Sequence, residues 1–316
     1  MKPEILVLAA SPSADVMAQL EQAFHCHHLW RQPCEAQPEW LAGVAPGIRA
    51  VLTTGSIGIG PALLEQLPKL EVVAVNGIGT DAVALEKTRA RGIFVTNTPG
   101  VLTEDVADLA LTLLLSSARG LPALDRLVRS GAWEHGLPLA PTRALRGKVC
   151  GVFGFGRIGQ AVAARAAAFG MRTLYYQPRA VEGVAVGRCA SLLELAQASD
   201  YLVLCAPGSE ATRRVVNAEV MAALGPQGTL VNVARGSLVD QDALVAALRD
   251  GVLGKAALDV FDHEPHVPAA LRELDNVVLT PHVGSLTVET RHAMGQLVVD
   301  NLLAHFSGRP LLTPVA

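Results

Sequence analysis

Apolar and polar positions fall into blocks along this chain, and the blocks change period. Short β-branched runs, "EILVLA", "IRAVLTT", "EVVAVNG" and "IFVTNT", punctuate residues 1–100, with stretches of helical period between them. Near-continuous apolar strands separated by helices predict parallel sheets covered on both faces. "VLTEDVADLALTLLLSSARGL" then continues far longer than its neighbours. Thr103, followed by Glu104 and Asp105, reads as an N-cap with an acidic first turn, and so long a helix is expected to bridge domains or subunits. A second series follows, "KVCGVFGFG", "TLYYQ", "YLVLCAP", "GTLVNVAR", "GKAALDVF" and "NVVLTPHV", the six strands of a doubly wound nucleotide-binding domain. The last block, "TVETRHAMGQLVVDNLLAHFSG", is helical again and is expected to pack back on the first domain. Neither a solenoid repeat nor a low-complexity tract interrupts the pattern.

Composition narrows the classes. The 316 residues exceed the roughly 100–200 of one domain, so two are expected. Half the residues are hydrophobic and 17% charged, ample for compact cores. A net charge of -3 without a dense Lys/Arg run lacks the electrostatic footprint of a nucleic-acid binder. The apolar run Ile5 to Ala10 is below the roughly 7–15 residues of a signal-peptide core, and Glu4 interrupts the basic end, so a first strand is the better reading. The most apolar window, "VADLALTLLLSSA", contains Asp108 and ends at Arg119, so no membrane span is expected. Five cysteines, Cys26, Cys34, Cys150, Cys189 and Cys205, are odd in number and lack C-x-x-C spacing, which reads as a reducing, cytoplasmic setting. "FHCHHLW" crowds His25, Cys26, His27 and His28, but no matching ligand group lies at zinc spacing, so a solvated turn-and-strand is expected there and no metal.

Gly154, Gly156 and Gly159 in "VCGVFGFGRIGQAVAARAAAFG" have G-x-G-x-x-G spacing between a strand and an Ala-rich helix. The first permits a tight turn, the second lets pyrophosphate reach the backbone, and the third lets helix pack on strand; Arg157 and Ile158 open the helix whose N-terminus faces the anion. About twenty residues on, a carboxylate normally receives the adenosine ribose hydroxyls. This strand ends in Gln177, with Arg179 two positions later. An amide tolerates a 2′-phosphate and a guanidinium binds it, so NADP is expected over NAD; the alternative is that Arg179 is a solvated loop residue.

Ligands in such sheets lie outside the carboxyl ends of the strands. Arg235 follows "GTLVNVA", Asp259 lies in "GKAALDVF" with Glu264 in the loop beyond, and His282 follows "NVVLTP". Singly, each has a dull explanation as a turn, loop or core residue. Jointly they put a cation, a carboxylate and an imidazole on one edge, a set that suits hydride transfer to a carbonyl. His282 would deliver the proton, Glu264 would orient the ring and favour its charged form, and Arg235 would grip a substrate carboxylate or ketone oxygen. Asp259 would accept from the nicotinamide carboxamide.

"GFGRIG", "VNVARG", "ALDVFDHEP" and "LTPHVGS", in this order, resemble the D-isomer-specific 2-hydroxyacid dehydrogenase family along nearly the whole chain. "VTNTPGVLTEDVADLAL", "RSGAWEHG", "TVETR" and "NLLAHFSGRPLLTPVA" are most similar to its NADPH-dependent glyoxylate/hydroxypyruvate reductase branch. The resemblance implies an α/β protein of two Rossmann-like domains: a flavodoxin-like substrate domain, residues 1–98 and 286–316, and a doubly wound NAD(P)-binding domain, residues 99–285. Hinges are expected near Asn97–Pro99 and just beyond His282. The family's substrate arginine falls on Arg235, its supporting glutamate on Glu264 and its proton donor on His282, while His263 and His266 match no catalytic position. Backbone N–H groups of Ile78 and Gly79 in "NGIGTD" would bind the substrate carboxylate. Cofactor contacts would fall on Phe155, Gly156, Arg157, Ile158, Pro207, Thr212, Val233, Asp259 and His282, with Gly284 near the nicotinamide end and Val106 against its ring. The family implies a homodimer, and Trp133 is either the tryptophan that enters a neighbouring subunit's pocket or an ordinary interface aromatic. One departure is the Gln177-Pro178-Arg179 segment, which replaces the Ser-Arg type pair of NADPH-using relatives. The implied activity is reduction of glyoxylate or hydroxypyruvate by NADPH. Its rivals are a family dehydrogenase of different substrate and a nucleotide-sensing, corepressor-like binding protein. A formate dehydrogenase of the family would pair its histidine with glutamine, against Glu264.

Overall fold

The computed structural model describes residues 2–9, 13–136 and 138–315. Met1, Ala10 and Ala316, which end expected ranges, lie outside the described residues. The chain divides into two units, Met1–Leu102 with Ser285–Ala316, and Thr103–Gly284. Residues 99–102, expected with the second domain, fall in the first unit, where the Val101 carbonyl accepts a hydrogen bond from the Thr290 hydroxyl at 3.3 Å.

The first unit runs β1 (Glu4–Val7), α1 (Ala14–Ala23), β2 (His25–His28), α2 (Gln37–Val44), β3 (Ile48–Thr54), α3 (Pro61–Gln66), β4 (Val72–Asn76), α4 (Leu85–Ala90) and β5 (Phe94–Thr96). Its strands pair in parallel in the order β2-β1-β3-β4-β5, the flavodoxin-like order. β2 is the strand of "FHCHHLW", and the solvated setting expected there is corrected at His28. This residue is buried, with Nε2 3.1 Å from Glu21 Oε1, and burial pushes its imidazole pKa down. Among the described residues no group of three or more His, Cys, Asp or Glu side chains could hold a metal ion.

The second unit runs α5 (Thr103–Arg119), α6 (Leu121–Arg129), β6 (Val149–Phe153), α7 (Arg157–Ala168), β7 (Arg172–Tyr176), β8 (Gly187–Arg188), α8 (Leu192–Gln197), β9 (Tyr201–Leu204), α9 (Ala218–Leu224), β10 (Thr229–Asn232), α10 (Gln241–Arg249), β11 (Lys255–Leu258), α11 (Ala269–Arg272) and β12 (Val277–Leu279). Its parallel order, β12-β11-β10-β9-β6-β7-β8, is doubly wound about β6 and β9, so the carboxyl ends of these two strands open the crevice where such sheets bind ligands. Six strands were expected and seven form. β8 is two exposed residues long, too short to carry an apolar run. The chain ends with α12 (Val288–Phe306), whose Val298, Val299 and Leu302 join Ile5, Val7, Leu52 and Ala74 in the core of the first unit.

α5 is the longest helix of the second unit, and its start corrects one sequence expectation. Nine of its residues are buried, among them Val106, Leu111 and Leu114, because its apolar stripe lies against the sheet and α7. Arg165 of α7 ties it further, with Nη2 2.8 Å from Glu104 Oε2 and Nε 2.6 Å from Asp108 Oδ1. Thr103 is the first helical residue rather than the cap, and among the described residues its buried hydroxyl has no hydrogen-bond partner. No single helix among the described residues is long and apolar enough to cross a membrane; α5 and α6 meet the length and composition only together and are bent by 63°.

Candidate active site

The glycine segment closes β6 and opens α7, and each of its three glycines has a different reason. Gly154 has φ +89°, and a Cβ there would stand 2.5 Å from the Ala206 backbone nitrogen at the end of β9. A Cβ on Gly159 would stand 2.2 Å from the Gly154 carbonyl oxygen, so helix and strand meet only because the side chain is missing. A Cβ on Gly156 would meet nothing within 4 Å. That open space, in front of the N-terminus of a 12-residue helix, is the cradle a pyrophosphate requires. These residues therefore fit a dinucleotide. Arg157 is exposed and Ile158 half-buried at the start of α7, while Phe155 is 2% exposed and stacks on Tyr175 at 4.3 Å between ring centroids.

At the end of β7, Gln177 Oε1 accepts from the Phe155 amide at 2.9 Å and its Nε2 donates to the Arg179 carbonyl at 2.8 Å. Both ends of the amide are thus engaged in holding the glycine segment to the following turn. Arg179 is exposed. Sequence reasoning missed a second guanidinium here. Arg188 of β8 donates through Nη2 to the carbonyls of Gln177 at 3.2 Å and Pro178 at 2.9 Å. Its signal was weak, since a two-residue exposed strand has no periodicity to read.

On the other side of the switch point, Thr212 Oγ1 donates to the Pro207 carbonyl at 2.8 Å, and Val233 is 9% exposed just beyond β10. Arg235 follows, half-buried, with Nη1 donating to the Ala234 carbonyl at 2.7 Å. Asn232 braces this turn from within, donating through Nδ2 to the Arg235 carbonyl and accepting from the Ala234 amide. Gly236 lets the turn lie against the loop after β11, where an added Cβ would stand 1.9 Å from the Phe261 carbonyl carbon.

That loop carries Glu264. Its Oε1 accepts from the Phe261 amide at 3.1 Å, and its Oε2 lies 2.7 Å from Nδ1 of His282. Burial would raise the Glu264 carboxyl pKa, but the hydrogen bond and charge of His282, with the Phe261 amide and Arg235, outweigh it and hold the pKa below the usual glutamate range. The folded-state pKa is the lower one, so the stability this pair contributes is fully present above the ordinary glutamate pKa. It is lost as pH falls through the depressed folded value. His282 itself has φ +54°, a left-handed backbone uncommon for any residue but glycine.

Asp259 is 1% exposed, and burial, its largest influence, pushes its carboxyl pKa up against the hydrogen bonds it accepts. Gly284 lies between this carboxylate and Val106 of α5; an added Cβ would be 3.3 Å from Asp259 Oδ2 and 3.4 Å from Val106 Cγ2. Three sequence-selected cofactor residues, Val106, Asp259 and Gly284, therefore converge. Ile78 and Gly79 belong to the first unit, in the turn after β4, where the Ile78 carbonyl accepts from Asn97 Nδ2 at 2.8 Å. Trp133 is 57% exposed in the segment after α6.

An imidazole–carboxylate pair on the same sheet edge as a glycine turn that fits a dinucleotide suits hydride transfer, and the class it points to is a nicotinamide-dependent oxidoreductase. The family profile described as D-isomer specific 2-hydroxyacid dehydrogenase, NAD binding domain, matches residues 111–284. A glyoxylate/hydroxypyruvate reductase A HPR2 from Arabidopsis thaliana is 48% identical over 297 residues, 94% of each chain. A hydroxyphenylpyruvate reductase from Plectranthus scutellarioides is 47% identical over 310 residues, 98% of each. The crystal structure of an NADPH-dependent glyoxylate/hydroxypyruvate reductase from Sinorhizobium meliloti, in complex with NADP and malonate, is similar with a TM-score of 0.90 and 41% identity. That similarity covers 100% of this chain and 97% of that one. The chain belongs to the D-isomer specific 2-hydroxyacid dehydrogenases.

Proposed function

We propose that this dehydrogenase reduces small 2-keto acids with NADPH, turning glyoxylate into glycolate and hydroxypyruvate into D-glycerate, as a cytoplasmic homodimer. The observation that carries the reading is the 2.7 Å contact between His282 Nδ1 and Glu264 Oε2, beside the Arg235 turn and in the unit that holds the glycine cradle. The names of two of the similar proteins, both glyoxylate/hydroxypyruvate reductases, support the substrate choice.

When bound, the reduced nicotinamide supplies the hydride; Asp259, Gly284 and Val106 would hold that end and Phe155 to Ile158 the pyrophosphate. The chain's own part is charge and proton handling. As the carbonyl carbon gains its new C–H bond, the electron pair of the C=O π bond moves to oxygen. His282 donates the Nε2 proton to that oxygen, so the product leaves as an alcohol. Glu264, kept ionised, accepts from Nδ1 and thereby fixes the ring orientation and leaves Nε2 as the working nitrogen. Arg235 grips the substrate carboxylate at two points, with the Ile78 and Gly79 amides assigned to the same group by family resemblance. Arg235→Lys keeps the charge and loses the planar fork, so KM for the keto acid rises by about tenfold or more while kcat changes less. An unchanged KM in steady-state assays would mean that the carboxylate is held elsewhere.

The cofactor preference rests on the end of β7, where an amide replaces a carboxylate and Arg179 and Arg188 flank the turn. The Gln177 amide carries no charge to repel a 2′-phosphate, and two guanidinium groups suit one. Steady-state titrations with NADPH and NADH against glyoxylate, hydroxypyruvate and pyruvate test it. A kcat/KM for NADPH above that for NADH by about tenfold or more is expected. Equal values overturn the preference, and nucleotide binding without turnover of any keto acid favours the sensing-protein reading instead.

The homodimer has its support in α6. This helix buries none of its residues, and Leu121, Leu124 and Val128 are 58%, 36% and 57% exposed at helical spacing, with Trp133 following. An apolar stripe left exposed on a helix that buries none of its residues suits a second copy of the chain.

A further inference from the structure

His282 holds its left-handed backbone inside a closed loop. Its amide donates to the Asp259 carbonyl at 2.8 Å, while the next two amides, of Val283 and Gly284, donate to Asp259 Oδ1 at 2.9 Å and Oδ2 at 3.0 Å. Backbone strain of this kind persists only where the surroundings over-determine it. The Asp259 carboxylate is what the loop is built around, yet a carboxylate held only by that loop would turn with it. One side chain fixes it from the other side of the histidine. Thr280 Oγ1 donates to Asp259 Oδ1 at 2.6 Å, and the Thr280 amide is itself anchored on the Leu258 carbonyl at 2.9 Å.

We propose that Thr280 is a positioning residue for the proton donor: its hydroxyl aims the Asp259 carboxylate so that the Val283 and Gly284 amides, and with them the left-handed His282, stay in register with Glu264. The inference rests on the reading of His282 as proton donor. The clamp brackets the histidine from both directions along the chain, two residues before it and one and two after. Without the hydroxyl, the 1% exposed carboxylate loses a donor it cannot replace from solvent. Its burial already pushes the pKa up, so the loss acts in the direction of protonation and a weaker grip on the two amides. His282 Nδ1 would then leave its alignment on Glu264. The glycine cradle lies outside this chain of contacts, so the pyrophosphate keeps its partners; Asp259 and Gly284 also stand at the proposed nicotinamide end, so the Kd for NADPH is expected to rise by less than kcat falls.

The test compares Thr280→Val, which keeps the shape and removes the donor, with Thr280→Ser, which keeps the donor, and with His282→Gln in the same assay. Thr280→Val is expected to lower kcat by about 10- to 100-fold, while the Kd for NADPH rises by less, about fivefold or under. Thr280→Ser is expected to restore most of kcat. A Thr280→Val enzyme with parental kcat, while His282→Gln is inactive, overturns the clamp and leaves the proton-donor reading standing. Loss of cofactor affinity as large as the loss of kcat, without rescue by serine, also overturns it, because Thr280 would then serve the fold or the cofactor pocket. If His282→Gln retains turnover, the reading beneath the proposal is what fails. Melting temperatures of the variants separate all of these from misfolding.

Discussion

His282→Gln lowers kcat by about 10²–10⁴-fold, the usual contribution of a positioned general acid. Glutamine keeps a comparable length and can accept or donate near Glu264, but its amide has no proton to release at neutral pH. Histidine is among the side chains enriched at φ +54° and glutamine is not, so the substitution adds some backbone strain, which a melting temperature reads separately from turnover. Cofactor affinity, assigned above to the glycine cradle and the β7 turn, is expected to hold while turnover collapses. Steady-state rates with glyoxylate and hydroxypyruvate, alongside a fluorescence titration of NADPH, check both halves. Turnover near that of the parent enzyme would take His282 out of the mechanism.

Gly154→Ala and Gly156→Ala are expected to fail in different ways, and the contrast isolates the cofactor cradle. At Gly154 the new methyl would meet the Ala206 nitrogen at 2.5 Å with φ at +89°. The left-handed backbone costs about 1–2 kcal/mol and the overpacking about 1–3 kcal/mol, so the variant should lose roughly 2–5 kcal/mol of stability. At about 2–4 °C per kcal/mol for a unit of this size, Tm falls by roughly 4–20 °C. At Gly156 the methyl meets nothing and φ is ordinary, so the loss is about 1 kcal/mol or less, from a poorer helix cap. Yet that methyl would stand where the pyrophosphate approaches the backbone, and the Kd for NADPH should rise by about tenfold or more. Calorimetry and a binding titration measure the pair. An unchanged Kd in Gly156→Ala would show that the phosphates do not come to this turn.

Both experiments use residues that could be picked from the sequence, and the reason is physical. The glycine spacing, the strand before it and the Ala-rich helix after it are local properties, and the same is true of polar residues that close apolar runs, such as Arg235 and His282. Parallel α/β units announce themselves because their strands are buried on both faces and their helices on one. Errors arose where local signal was faint or misleading. β8 is too short to show a pattern, Arg188 consequently went unnoticed, and His28 looked solvated although β2 places it under Glu21. Thr103 had the composition of a cap but stands one position inside the helix, where its side chain cannot reach a free amide.

By itself, then, the order of residues determined the alternating α/β pattern and the glycine turn, and it picked out the polar residues at strand ends proposed to move charge and protons, because each depends on neighbours within a few positions. Only the tertiary structure decided how those groups are held. Glu264 meets His282 across 18 intervening chain steps, and Thr280, Val283 and Gly284 close on Asp259 across 21 to 25. Such contacts come from adjacent parallel strands ending at one edge, with β11 and β12 in register from Ala256 and Val277 to Leu258 and Leu279. Register of that kind is a property of the packed sheet, and no periodicity along a single strand encodes which loop its end will touch.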